Sequence, residues 1–218
     1  MIIAIDGPSG SGKSTLGRML ARELHLLYID TGSMYRAVAL AVIDADVDPH
    51  DSEAVVALAT DIDIDLEGDP DSLKVLLNGR DVTEQIRSEA VTAMSSVVST
   101  IPGVRRAMVV RQRAMGKHGA VLNGRDIGTV VFPDADIKFF LTAAPEERAE
   151  RRFKEDRLTN DDVSFEQTMA EMTERDRRDS TRADSPLKAA DDAIVIDSSG
   201  LSIDQVFQRM MEYVHRHH

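Results

Sequence analysis

The chain has 218 residues, 42% hydrophobic and 29% charged, which is enough for one sizeable core and outside the composition of a disordered segment. It carries no cysteine, which excludes a disulfide framework or a thiolate metal site. Its net charge of −12 argues against a nucleic-acid surface, which needs a basic footprint. No apolar run approaches the roughly 20 residues that span a bilayer, and the opening MIIAIDG lacks the basic region of a secretory signal. A cytoplasmic protein is therefore expected.

In chain order, Ile2–Asp6 is almost wholly apolar and predicts a buried strand. GPSGSGKST follows at residues 7–15, and Leu16, Met19, Leu20 and Leu24 then repeat with the spacing of one helical face. Residues 26–30 predict a second strand, and TGSMYRAVALAVI a turn entering a helix. DPHDSEAVVALA predicts another helix, capped by Asp51 or Ser52. Alternation over residues 62–82, with Asn78-Gly79 at its centre, predicts a hairpin inserted into a βα rhythm. Two helices broken by Pro102 come next. Strands at residues 120–124, Ile137–Thr142 and 193–197 alternate with helices near 145–157, 165–178 and 202–215. Such alternation implies a parallel sheet covered on both faces, with ligands outside the carboxyl ends of its strands. The P-loop, Asp30–Thr31 and the segment from Asn123 to Asp126 should then converge on one edge.

Strand, glycine-rich turn and helix start, with G-x-x-x-x-G-K-S at the turn, is the setting a P-loop requires. Gly7, Pro8, Ser9, Gly10, Ser11 and Gly12 would curl so that successive N–H groups meet phosphate oxygens. The helix beginning near Lys13, Ser14 and Thr15 would add its N-terminal dipole. Lys13 would reach the β- and γ-phosphates, and the Ser14 hydroxyl would ligate Mg²⁺. A nucleoside triphosphate with Mg²⁺ is the implied ligand. The guanine-reading N-K-x-D motif is absent, which counts against a GTP switch.

The charges are unevenly spread. Residues 44–89 hold fourteen Asp or Glu against Lys74, Arg80 and Arg87, whereas thirteen of the twenty arginines lie between Arg105 and Arg182. A solvated, salt-bridged surface accounts for most of these, and a small anionic ligand needs only a few. Tyr35-Arg36, the cluster around Arg105, and ERDRRDSTR are the candidates; in the last, Arg175, Asp179 and Arg182 share one helical face. Adjacent residues of an extended segment point apart, so Arg125 and Asp126 should hold separate jobs. A kinase for a small acceptor, whether a nucleoside monophosphate such as UMP or AMP or a hydroxyl compound, and a slowly hydrolysing nucleotide switch all remain open on these grounds.

The stretches IDGPSGSGKST, DTGSMYR, IPGVR, RQR, GRDIGTVVFPDA, ERDRRDSTR and SPLKAADDA together resemble the bacterial cytidylate kinase family, within the P-loop nucleoside-monophosphate kinases, essentially end to end. The resemblance implies a three-layer α/β fold with a P-loop core at residues 1–33, 104–150 and 164–218. It also implies a monophosphate-binding insertion at 34–103 that contains the hairpin, and a lid at 151–163. It implies ATP and CMP or dCMP as small-molecule substrates, a monomer, and neither nucleic-acid nor membrane partners. Residue by residue, Arg36, Arg125 and Arg182 would hold the monophosphate, Tyr35 would pack on the pyrimidine, and Thr31 keeps a substrate-binding hydroxyl. Arg175 and Asp179 would contact the ribose; Ser96, Arg105 and Asp126 would read the base edge. Arg151 and Arg152, with Arg157, would close over the phosphates and the ATP.

Asn123 departs from that family's pattern, which places an acidic residue before GRDIG. One expectation is weaker Mg²⁺ binding or a lower rate with activity retained, helped by Asp6 or Asp30 at neighbouring strand ends; the other is that the position simply tolerates an amide. The terminal HRHH is expected to be a flexible tail.

Overall fold

A computed structural model describes residues 1–157 and 162–216. Residues 158–161 of the expected lid and the last two histidines of the tail lie outside them. Five parallel strands form the central sheet: β1 (Ile2–Asp6), β2 (Leu27–Asp30), β6 (Ala120–Gly124), β7 (Ile137–Thr142) and β8 (Ile194–Asp197). Their spatial order is β2-β6-β1-β7-β8. A second, antiparallel sheet holds β3 (Ile64–Glu67), β4 (Lys74–Leu77) and β5 (Arg80–Asp81). Asn78 and Gly79 join the last two strands with φ of 50° and 76°, the left-handed pair that a tight hairpin demands.

The two-residue period of the strands sorts the side chains into two clusters. Ile3, Ile5, Val121 and Phe139 join Leu16 and Leu20 of α1 (Lys13–Glu23) and Val206, Met210 and Val214 of α8 (Ile203–Arg216). On the other face, Ala4, Ala120 and Leu122 pack with α2 (Thr31–Asp44), α3 (Ser52–Asp61), α4 (Glu89–Val98) and α5 (Pro102–Gly116). This second cluster also takes in Ile64, Val75 and Leu77 of the hairpin sheet. Residues 34–103 thus share one apolar core with the parallel sheet. The three layers and the central parallel sheet match the expected fold class.

Local departures from expectation have plain causes. No turn precedes α2: Asp30 caps it, accepting from the Gly32 N–H at 3.1 Å and the Ser33 hydroxyl at 2.9 Å, so the helix starts at once. Two helices do meet at Pro102 as expected, and the proline opens α5 in its first turn, where a missing N–H costs nothing. Asp51, rather than Ser52, caps α3. After β6, residues Ile127–Val131 form a π-helical turn that periodicity could not reveal. The chain then runs through β7, α6 (Pro145–Asp156) and α7 (Phe165–Thr181) to β8 and α8.

Candidate active site

The ends of β1, β6 and β2 lie side by side, with Ile5 and Asp30 both opposite Asn123 and Asp6 opposite Gly124. The glycine-rich loop leaves β1 and bends under severe steric limits. A Cβ on Gly7 would stand 2.1 Å from the Leu141 carbonyl oxygen, and one on Gly10 would stand 2.5 Å from that of Arg148. Lys13 and Ser14 open α1 at the mouth of the loop. The buried Lys13 ammonium donates to the Pro8 carbonyl at 2.6 Å and sits 3.4 Å from the Ser11 hydroxyl. Burial drives its pKa well below the usual lysine value, and the charges of Arg125 and Arg175 push the same way. Ser9, Ser11 and Gly12 complete the cradle, while Thr15 is exposed on the first turn of α1.

Beside Ser14 the asparagine finds its partners. Asn123 Nδ2 donates to the Ser14 hydroxyl at 3.1 Å and to Asp30 Oδ1 at 3.4 Å, whereas its Oδ1 is buried without a partner. The carboxylate of Asp30 selects this amide orientation, because the amide oxygen turned toward it would be repelled. Asp6 is not a helper for a cation: its two oxygens accept the Ile127 and Gly128 N–H groups, each at 2.8 Å. Among the described residues no group of three or more His, Cys, Asp or Glu could hold a metal. A hydroxyl, an unpaired amide oxygen and one nearby carboxylate fit a hydrated cation whose remaining ligands come with a nucleotide.

Across the same edge lies a crowd of guanidinium groups. Arg125 Nε donates to Asp179 Oδ2 at 3.0 Å, and Arg182 Nη1 reaches Asp179 Oδ1 at 3.3 Å, so one carboxylate bridges two arginines. Burial works against the charged carboxylate, yet Arg125, Arg175 and Arg182 hold its pKa below the usual range. Arg175 has lost more. Its pKa is pushed down to about 10 by burial first, then by the like charges of Arg125, Arg36 and Arg152. Arg36 is lowered by burial too, with Arg152 and Arg87 adding repulsion and Asp30 opposing it. Such clustered positive charge, offset only in part by Asp179 and Asp30 and placed beside Lys13, suits a phosphate group.

Arg125 and Asp126 do point apart, as their adjacency implied. Asp126 faces α5, where its Oδ2 meets Arg105 Nη2 at 2.5 Å, both side chains being buried. Arg105 also donates to the Ser99 carbonyl at 3.2 Å and lies over the Tyr35 ring at 5.5 Å from its centre. Burial pushes the Tyr35 hydroxyl up to about 12. Arg105 Nε and Arg182 Nη2 are buried donors without partners. Ser96, Ser99 and Thr100 meet Arg175, Arg178 and Asp179 around one small crevice, which brings the end of α4 against α7.

Two expected site residues are not part of this gathering. Arg151 is turned to the end of β8, donating to the Ser198 hydroxyl and carbonyl, each at 3.0 Å, and pairs with Glu147. Successive helical residues lie about 100° apart, so Arg151 and Arg152 could not both face the loop. Arg157 rests near the Phe153 ring. Thr31 is buried, its hydroxyl donating to the Asn123 carbonyl at 2.8 Å, a bond that ties β2 to β6. The residue that composition alone concealed is Arg148, four positions before Arg152 and therefore on its face of α6. It is buried and donates to the Ser9 carbonyl at 3.0 Å and to Asp176 at 2.6 Å, binding the loop to α7. Its i,i+4 relation to Arg152 was the available signal.

A phosphate-cradling loop at the carboxyl edge of a parallel sheet, beside a cluster of buried arginines, defines a P-loop phosphotransferase that joins two anionic ligands. The family model described as cytidylate kinase matches residues 3–216. A cytidylate kinase of Syntrophotalea carbinolica is 50% identical over 215 residues, covering 98% of this chain and 92% of its own length. One from Corynebacterium glutamicum is 49% identical over 216 residues, covering 98% and 94%. A solved structure of an uncharacterized protein from Eubacterium ventriosum is similar with a TM-score of 0.53 at 12% identity, covering 99% of this chain and 98% of that one, and supports the fold alone. The chain belongs to the cytidylate kinase family.

Proposed function

We propose that the protein transfers the γ-phosphoryl group of ATP to CMP, and to dCMP, giving ADP and CDP or dCDP for pyrimidine nucleotide metabolism. The observation that carries this reading is the buried Arg105–Asp126 pair beside the Arg36, Arg125, Arg175 and Arg182 cluster, opposite the phosphate loop. The attacking atom is an oxygen of the CMP phosphate, already anionic near neutral pH. It forms a bond to the γ-phosphorus as the bond to the ADP oxygen breaks. No strong base is required, and catalysis rests on alignment and on charge neutralisation.

In this reading Lys13 exchanges the Pro8 carbonyl for phosphate oxygens, and Gly7, Pro8, Ser9, Gly10, Ser11, Gly12, Ser14 and Thr15 line the ATP phosphates. Arg36, Arg125 and Arg182 hold the acceptor phosphate, Arg175 and Asp179 its ribose. Tyr35 packs on the pyrimidine and Ser96 meets its edge, while Thr31 adds its hydroxyl to the substrate site. Asp126 accepts from the exocyclic amine of cytosine while Arg105 donates to the ring acceptors; uracil would set a carbonyl against the carboxylate. Arg152 is paired with Asp156 and Glu155, Arg151 holds Ser198 and Arg157 rests near Phe153, so each lid arginine would exchange its present partner for the phosphates. Residues 34–103 serve as the acceptor domain and 151–163 as the lid. Mg²⁺ brought with ATP would be held by Ser14 and Asn123, and would supply further neutralisation of phosphate charge.

No helix of the described residues is long and apolar enough to cross a membrane. The reading extends to a cytoplasmic monomer acting on small molecules rather than nucleic acid, in keeping with a net charge of −12.

The test is ADP formation from Mg-ATP with CMP, dCMP, UMP, AMP or no acceptor. Strong turnover with CMP and dCMP, far weaker turnover with UMP, and almost none without acceptor are expected. Turnover that ignores the acceptor would instead identify a hydrolase or switch.

A further inference from the structure

The π-helical turn Ile127–Val131 follows directly on Arg125 and Asp126, and its backbone is held from outside at both ends. Within the turn, the Asp126 carbonyl accepts from the Val130 N–H at 2.9 Å and the Val131 N–H at 3.2 Å, and the Ile127 carbonyl accepts from Phe132 at 2.7 Å. This leaves the leading N–H groups and the trailing carbonyls to find other partners. Asp6, the last residue of β1, takes the Ile127 and Gly128 N–H groups with one oxygen each, at 2.8 Å. At the far end Arg113 of α5 donates from Nε to the Val131 carbonyl and from Nη2 to the Val130 carbonyl, both at 2.8 Å. Asp6, Ile127, Gly128 and Val131 are buried, so water cannot substitute for the carboxylate at the leading end.

Two features make the arrangement more than a local fastening. Arg113 and Arg105 belong to the same helix, so α5 grips the turn at its end and the Asp126 side chain at its beginning. Gly128 has the Lys138 stem and Asp6 against it; a Cβ there would stand 3.1 Å from Lys138 Cδ, so glycine lets the N–H reach the carboxylate. A π-helical turn is intrinsically uncommon and is retained where a side chain must be aimed.

We propose that Asp6 and Arg113 are positioning residues for base recognition, holding the turn from opposite ends so that Asp126 is fixed against Arg105 in the geometry that distinguishes cytosine from uracil. The proposal rests on the base-reading role given to Asp126 above. Asp6 ends β1 just before the phosphate loop, but both of its carboxylate oxygens are engaged by the turn rather than by the loop.

The experiment is steady-state kinetics of the full chain with CMP, UMP and ATP for the parent protein and for Asp6→Asn, Arg113→Gln, Arg113→Lys and Asp126→Asn. In Asp6→Asn the amide nitrogen opposes one N–H, so one end of the turn loses half its hold. The expected result is a rise of about tenfold or more in KM for CMP and a matching loss of CMP-over-UMP preference in kcat/KM, with KM for ATP changed less than about threefold. Arg113→Gln should move the same ratio by less, and Arg113→Lys should restore part of it. A merely structural role would lower Tm without moving the ratio. If Asp126→Asn abolishes the preference while Asp6→Asn and Arg113→Gln keep it, the proposal is overturned and the base reading stands. If Asp126→Asn keeps the preference, the base reading falls and takes the proposal with it. Should Asp6→Asn fail to fold, the Arg113 pair decides alone.

Discussion

Asp6 sits where ionisation is costly. Burial raises its pKa to about 6, against the opposing pull of the Gly128 and Ile127 N–H groups and the attraction of Lys13, and Asp126 raises it further. A carboxyl whose folded pKa exceeds the ordinary value of about 3.9 binds its proton more tightly in the folded state. Its contribution to stability is therefore fullest below pH 4 and declines as pH rises through about 6, by on the order of 3 kcal/mol. Asp6→Asn should flatten that decline, so urea midpoints of parent and variant should converge or cross between pH 4 and 7; parallel curves would refute it. Asn123 answers a related problem. With Asp30 3.4 Å from its amide nitrogen, a second carboxylate there would be repelled. Asn123→Asp should accordingly lower the Mg²⁺ concentration needed for half-maximal activity, since a cation would relieve the pair. An unchanged Mg²⁺ titration would show that the amide is simply tolerated.

At the scale of elements, the arginines divide into those that hold the fold and those left for ligands. Arg111 of α5 donates to the Ala59 carbonyl at 2.6 Å, to Thr60 at 2.9 Å and to Ile62 at short range, so it satisfies the orphan carbonyls at the end of α3. Arg111→Ala should cost about 1–3 kcal/mol in chemical denaturation with KM for CMP and ATP unchanged. A change in KM without loss of stability would place Arg111 in the site instead. Arg113, two residues on, makes two such bonds to carbonyls, yet its partners carry the base reader. Position along α5 decides whether the same chemistry is architectural or functional.

For the whole molecule, the mutual repulsion of Arg36, Arg125, Arg152 and Arg175, offset in part by Asp179 and Asp156, is a cost that a bound phosphate would reduce. CMP at about a hundred times its Kd should stabilise the protein by about 2.7 kcal/mol, read as a rise in Tm. Cytidine, which offers the same base without the anion, should give little shift at the same concentration. An equal shift from cytidine would mean that these arginines do not hold the acceptor phosphate.

The chain's own order of residues determined the layers, the phosphate loop, the hairpin at Asn78-Gly79 and the divergence of Arg125 from Asp126. These depend on local periodicity, turn chemistry and alternation, which are written within a few residues of each other. Tertiary structure alone decided that Asp6 braces a turn 121 residues away rather than assisting a cation, that Arg148 faces the loop while Arg151 turns to Ser198, and that a π-helical turn aims Asp126. Those outcomes depend on which strand ends and helix faces are brought together. A hydrogen bond between distant segments leaves no period in the sequence, so only packing could select it.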